Sequence, residues 1–420
     1  MGSEAVVIGG LIVLGGLVVL WHLTFSVDPR VHPHPFVLRW VEPRWERWED
    51  LDWDAKMRIF HRRQVVNWVF VILVVGLLAY LFSLALRSVP PQAAGSAAVA
   101  AAPAAPAAKL AVDGEPFGVA VTPDGKYAIV ALGASGDVAL YSRPGYKLVA
   151  RAHVGGQPCG IALTEGGKAA LVAVFARQGE LVALSVPALK VLARVAAGAY
   201  PIEVAVTPDG RQAFVSDEYH AAVAVVDLPA AGQTWPAGSA DSIPVDLGPV
   251  GLAVSPNGKR LYVTCEEGTL LAIDTATDRV VERRWVGSQA VRVVLGDAGR
   301  VAWVTVRAEN ELKAFNAQTL APLGQVAVGT EPVGLALIDG GAVAAVADSA
   351  RFAQPPAAST VTFVSTAAVL AGRPALLGTV PGGKFPREFA LSPHGRQLLL
   401  TEYRSDKVAV FDVASLPQPR

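Results

Sequence analysis

The sequence predicts an all-β fold, a seven-bladed β-propeller, preceded by two transmembrane α-helices. Three observations carry this prediction. A unit opened by glycine recurs seven times, starting at Gly114, Gly156, Gly198, Gly248, Gly287, Gly329 and Gly383. Its turn glycines, Gly125, Gly167, Gly210, Gly258, Gly299, Gly341 and Gly395, lie 42, 43, 48, 41, 42 and 54 residues apart. Two long apolar stretches almost free of charge stand ahead of the first unit. A period in the low forties with four short strands per unit is that of a propeller blade.

The first unit shows how a blade is written. Val119–Val121 is a short inner strand, and Pro123, Asp124 and Gly125 turn the chain, glycine supplying the positive φ of the reversal. Lys126–Leu132 is a second strand with Tyr127, Ile129 and Ala131 on one face. Asp137–Tyr141 and Lys147–His153 are the third and fourth, split by Arg143, Pro144 and Gly145. Such strands cannot bury both faces alone, so neighbouring blades must stack. The seventh unit stops after its third strand, Lys407–Val413, while an unmatched strand, Lys109–Asp113, precedes the first unit. The spare strand is therefore expected to complete the last blade and remove two exposed sheet edges.

Ahead of the propeller, domains are expected at 1–25 (first span), 26–64 (loop), 65–87 (second span) and 88–108 (linker), with the propeller at 109–420. Ala5–Phe25 and Val65–Leu86 are each long enough for the roughly 20 residues that cross a bilayer. The first lacks a basic leader and an A-x-A site, so it is not read as a cleaved signal. Ser26–Gln64 is rich in Lys and Arg, whereas Met1–Glu4 has none; positive-inside bias puts the loop in the cytoplasm and the propeller outside. The expected location is the bacterial cytoplasmic membrane, crossed twice, with the propeller in the periplasm. Trp40, Trp45, Trp48 and Trp53 crowd the loop and fit either an interfacial helix at headgroup depth or a docking surface for another membrane subunit. Gly9, Gly10, Gly15 and Gly16 allow close helix approach in the first span. His22 at its end fits a polar residue at the interface or a ligand to haem or chlorophyll. Ser88–Ala108 is an Ala/Pro-rich linker.

Composition excludes some functions. Lys and Arg number 36 against 36 Asp and Glu, so the chain lacks the basic excess of a nucleic-acid binder. The two cysteines, Cys159 and Cys265, fall in different repeats and read as buried apolar residues rather than a disulfide or metal pair. No C-x-x-C-H motif is present for covalent haem, and no cofactor or metal is expected. The propeller's histidines, His153, His220 and His394, form no Ser–His–Asp constellation, and no catalytic residue is assigned.

The register of the repeats places seven residues at the channel mouth: Gly118, Gly160, Glu203, Gly251, Arg292, Gly334 and Glu388, with Arg387 one position earlier. Glu203, Arg292, Arg387 and Glu388 are the ligand-binding candidates, for a small polar ligand. The alternative is a mutual ion-pair plug. Loops after the second strands are expected to form an outer ring of solvated charge: Asp217 to His220, Glu266 and Glu267, Arg307 to Glu309, and Glu402 to Arg404. Two insertions are candidate partner surfaces: Ser349–Thr360 with Phe352, and Pro229–Pro244 with Trp235, whose ring either contacts a partner or folds back on its own blade.

The motifs PFGVAVTPDGK at Pro116–Lys126, the turns at Pro208 and Pro256, and Tyr262, Val263, Thr264 resemble the YVTN-repeat seven-bladed propellers, which include surface-layer and periplasmic proteins. The resemblance covers Lys109–Arg420 and implies the propeller fold. Its members include binding proteins, lactonase-like enzymes and haem d1-type reductase domains. The turn proline is lost before Gly167, Gly299 and Gly341. Two functions follow as expectations: an interaction subunit with membrane-protein partners and lipid, or a sensor or lactonase-like hydrolase using the channel charges.

Overall fold

Seven sheets, each built on four antiparallel strands, follow one another along the chain in the computed structural model, which describes residues 105–230, 233–235 and 238–419. The two spans, the four loop tryptophans and His22 lie outside the described residues. Among the described residues no helix is long and apolar enough to cross a membrane. Contacts divide the chain into two compact units, with all seven blades in Val99–Arg420.

The first six blades run inner to outer in chain order. The first comprises Pro116–Val121, Tyr127–Leu132, Asp137–Ser142 and Leu148–His153. In the seventh, Pro386–Leu391, Gln397–Glu402 and Lys407–Asp412 are completed by Ala108–Ala111, which pairs antiparallel with the third strand, Leu110 opposite Val408. The ring thus closes with the spare strand, though the strand is shorter than Lys109–Asp113. Leu110 and Val112 bury against Val408, Val410, Ala128 and Val130, so the closure is also a hydrophobic seam between the last blade and the first.

The core is distributed between blades. Phe363 and Val361 of the sixth blade pack with Leu398, Leu400 and Phe411 of the seventh. Trp303 of the fifth packs with Leu335, Val346 and Val364 of the sixth. Burying one such side chain stabilises by about 1.5–3 kcal/mol, so the interblade seams hold the ring together. Tyr262 spends its hydroxyl across a seam, donating to the Ala317 carbonyl at 2.7 Å.

The Pro229–Pro244 insertion differs from expectation. Its end, Asp241–Pro244, is itself the outer strand of the third blade, and Gly238–Ser239 pairs in parallel with Val195 and Ala196 of the second. A fifth strand thereby covers that blade's edge. The Ser349–Thr360 insertion joins Val343–Asp348 to Thr360–Ser365, as the sequence predicts.

Candidate functional site

Every inner strand carries an irregularity at the same place. The ladder to the second strand shifts between Pro116 and Val119, Pro158 and Ile161, Pro201 and Val204, Ala290 and Val293, and Pro386 and Phe389. A bulge sets two residues of one strand against one of its partner, and the two here are the residue before the mouth position and the channel-mouth residue itself. Its amide finds a hydroxyl on the second strand instead: Glu203 N donates to Ser216, Gly251 N to Thr264, Arg292 N to Thr305 and Glu388 N to Thr401. Several of these hydroxyls then donate to the next blade, Thr264 to the Val291 carbonyl at 2.7 Å and Thr401 to the Phe117 carbonyl at 2.8 Å. The threonine that ends Tyr262, Val263, Thr264 is thus a stitch between blades. Sequence reasoning used it only as a family mark; its recurrence at Thr305 and Thr401, in step with the mouth column, was the available signal.

The bulges bring the mouth residues together. Arg292 Nη1 lies 2.5 Å from Glu203 Oε2, and Arg292 Nη2 pairs with Glu388. The three side chains are 12–17% exposed. Glycine at Gly251 and Gly334 is required by close approach, since a Cβ there would collide with the carbonyls of Val291 and Arg387. On the side of the turns between inner and second strands the three charged groups floor a cavity of about 440 Å³, lined otherwise by apolar groups such as Leu252, Leu295, Leu335 and Phe389. One guanidinium joins two carboxylates that would otherwise repel each other, and both of its terminal nitrogens are engaged.

Arg387 is not part of this network. Its guanidinium stacks 3.9 Å from the ring of Phe117, its Nε is buried without a hydrogen-bond partner, and burial lowers its pKa to about 10. Phe117, Cys159 and Tyr403 form a buried cluster beside it. Burial pushes the Cys159 thiol up to about 12 even though Arg387 opposes the shift, and burial does the same for Cys265. Both thiols are free, and both are unreactive at neutral pH.

The outer ring requires correction. Glu402 and Tyr403 are buried rather than solvated, and so is Asp217. Asp217 accepts the Ala199 amide and holds His220 Nδ1 at 2.8 Å, which commits both side chains. Glu266 pairs with Arg307 at 3.3 Å, and Glu309 with Lys313 at 2.5 Å. Burial raises the Glu218 pKa, helped by the charge of Glu266. Among the described residues no three His, Cys, Asp or Glu side chains form a metal-binding group. Of the partner-contact candidates, Phe352 is 61% exposed. Trp235 is half-buried and packs against the cluster of Ala213, Val226 and Val195, so its ring folds back on its own ring of blades.

No family model and no characterised protein matches the chain by sequence. Solved structures do match in shape. Hydrazine synthase of Kuenenia stuttgartiensis superposes with a TM-score of 0.63 at 21% identity, covering 72% of this chain and 96% of that one. The Cps50 (Swd1) β-propeller domain of Myceliophteria thermophila gives 0.61 at 12% identity, over 74% of this chain and 100% of the other. A chain of the mitotic checkpoint complex gives 0.64 at 13% identity, over 75% and 96%. Likeness at these identities extends to fold alone, and what these structures share with this chain is the β-propeller.

Proposed function

We propose that the chain is an interaction subunit: a YVTN-type propeller, anchored by two spans in the bacterial cytoplasmic membrane, that scaffolds a larger membrane assembly from the periplasmic side. The observation that carries this reading is the closed ion-pair network of Arg292 with Glu203 and Glu388. Those residues are the candidates for a lactonase-like site, and each is consumed by another. A guanidinium saturated by two carboxylates polarises no carbonyl, and a carboxylate held in an ion pair is a poor general base. The network acts instead as a plug, satisfying charges that line a narrow channel. The exposed Phe352 on an extended loop suits partner contact. The solved propellers that resemble the chain include a member of the mitotic checkpoint complex, which is in keeping with a scaffold. The two apolar stretches before Ser88 supply the anchor, and the tryptophans between them a surface for membrane protein or lipid.

Purification of the full chain from native membranes in a mild detergent tests this. A stoichiometric membrane-protein partner is the expected result. A free monomer that hydrolyses lactones would replace the scaffold reading with the enzymatic one.

A further inference from the structure

Arg387 is out of keeping with its position. One residue before the ion-pair column, the other six blades place Phe117, Cys159, Ile202, Val250, Val291 and Val333. The seventh places a cation there, over the face of Phe117 at 3.9 Å and 5.8 Å from the centre of the Tyr403 ring. Two more guanidinium groups approach the same tyrosine, those of Arg351 and Arg404, each at 5.5 Å. Only Arg404 has a carboxylate, Glu115 at 2.6 Å. Among the described residues neither Arg351 nor Arg387 has an acidic partner within ion-pair distance. The neighbouring acids are committed elsewhere: Glu388 to Arg292, and Glu331 to the amide of Phe352. The charged and ionisable groups acting most on Arg387 are Cys159, Arg351, Tyr403 and Arg292, and none is a carboxylate.

A cation over an aromatic face is partly compensated. The in-plane N–H donors are not, because a ring face offers them no lone pair. The buried Nε of Arg387 shows this directly, since among the described residues nothing accepts from it. Arginine recognises planar oxyanions with its N–H fork while stacking its face on aromatics. We propose that Arg387 and Arg351, held on the platform of Phe117 and Tyr403, form a carboxylate-binding site on the face of the propeller that carries the loops between second and third strands. Arg351 and the exposed Phe352 come from the Ser349–Thr360 insertion, which puts an apolar edge beside the charge. Such an edge favours a carboxylate carried on a peptide over a bare small anion. The site extends the scaffold reading by naming the chemistry that docks at this face. It also stands without that reading, because its probes are soluble compounds added to the purified protein.

The test is titration of the full-length protein in detergent, at low ionic strength, with an acetylated tetraglutamate peptide and, separately, with succinate. Saturable binding of the peptide alone assigns the site to an acidic protein segment, and binding of succinate as well assigns it to small carboxylates; both support the proposal. Arg351→Ala should weaken binding at least tenfold. Arg387→Met should abolish it while melting at or above the parent temperature, because a partly buried charge whose Nε lacks a hydrogen-bond partner has been removed. Arg387→Lys, which keeps the charge and loses the fork, should bind at least tenfold more weakly and keeps the test open if the methionine variant does not fold. Arg300→Ala, an exposed arginine paired with Asp297, is the control and should bind normally. Absence of saturable binding, or an equal loss in the Arg300 control, would overturn the proposal.

Discussion

Asp348 is fully buried, and its Oδ2 accepts the hydroxyls of Thr360 and Thr362 while Oδ1 has no partner among the described residues. Burial raises its pKa to about 6, with the two hydroxyls opposing. Between the ordinary carboxyl value of 3.8 and about 6 the folded state holds a proton that the unfolded state has released, so stability falls as pH rises through that window. A shift of this size corresponds to about 3 kcal/mol, lost by neutral pH. Asp348→Asn should therefore raise the melting temperature at pH 8 and change it little at pH 4, as read by calorimetry across that range. A variant that lowers it at pH 8 would show that the ionised carboxylate stabilises the fold.

Strand alternation and turn chemistry were readable at the scale of elements because each repeat restates them. Pro123, Asp124 and Gly125 mark a turn whose Thr122 hydroxyl donates to Asp124 and accepts the Tyr127 amide. The same local bonds recur at Thr207 and Asp209 and at Ser255 and Asn257. The fifth strand at Gly238–Ser239 was not readable, since two residues carry no periodicity and the pairing is to a different blade. The closing strand was readable from a deficit at one end of the chain and a surplus at the other. Deleting Ala108–Asp113 should expose the edge at Lys407–Asp412 and uncover Val408 and Val410. Aggregation, or a marked fall in melting temperature, is the expected outcome in a thermal scan. A truncated protein as stable as the parent would contradict closure by this strand.

At the scale of the whole molecule, the sequence was informative where symmetry forces residues to an axis and silent where side chains choose partners. One register position placed Glu203, Arg292 and Glu388 around the channel, and they meet there. Register did not reveal that Arg387 stays unpaired over Phe117, because that depends on which neighbours are aromatic in three dimensions. Nor did it show that Glu402, at the end of its strand, and Tyr403 just after it are buried in a stretch that reads as polar. The proposed membrane topology is read from the basic loop of the sequence alone, and labelling can check it. A cysteine at Ser88 should react with an impermeant maleimide in spheroplasts, and one at Ser26 should not. The native thiols stay silent, being buried with pKa values pushed up to about 12. The reverse pattern would put the propeller in the cytoplasm.

Arg292→Ala separates a structural plug in an interaction protein from a ligand site at the channel charges. Removing the guanidinium leaves Glu203 and Glu388 close together, mostly buried, without their counter-charge. Losing one member of such a network costs on the order of 3 kcal/mol. Parent and variant should be purified side by side in mild detergent, with melting temperature, partner stoichiometry and binding of a lactone-type compound measured on each. A plug gives a clearly lower melting temperature with the partner still bound and no lactone binding by either protein. An unchanged melting temperature, together with loss of lactone binding that the parent possesses, would contradict it.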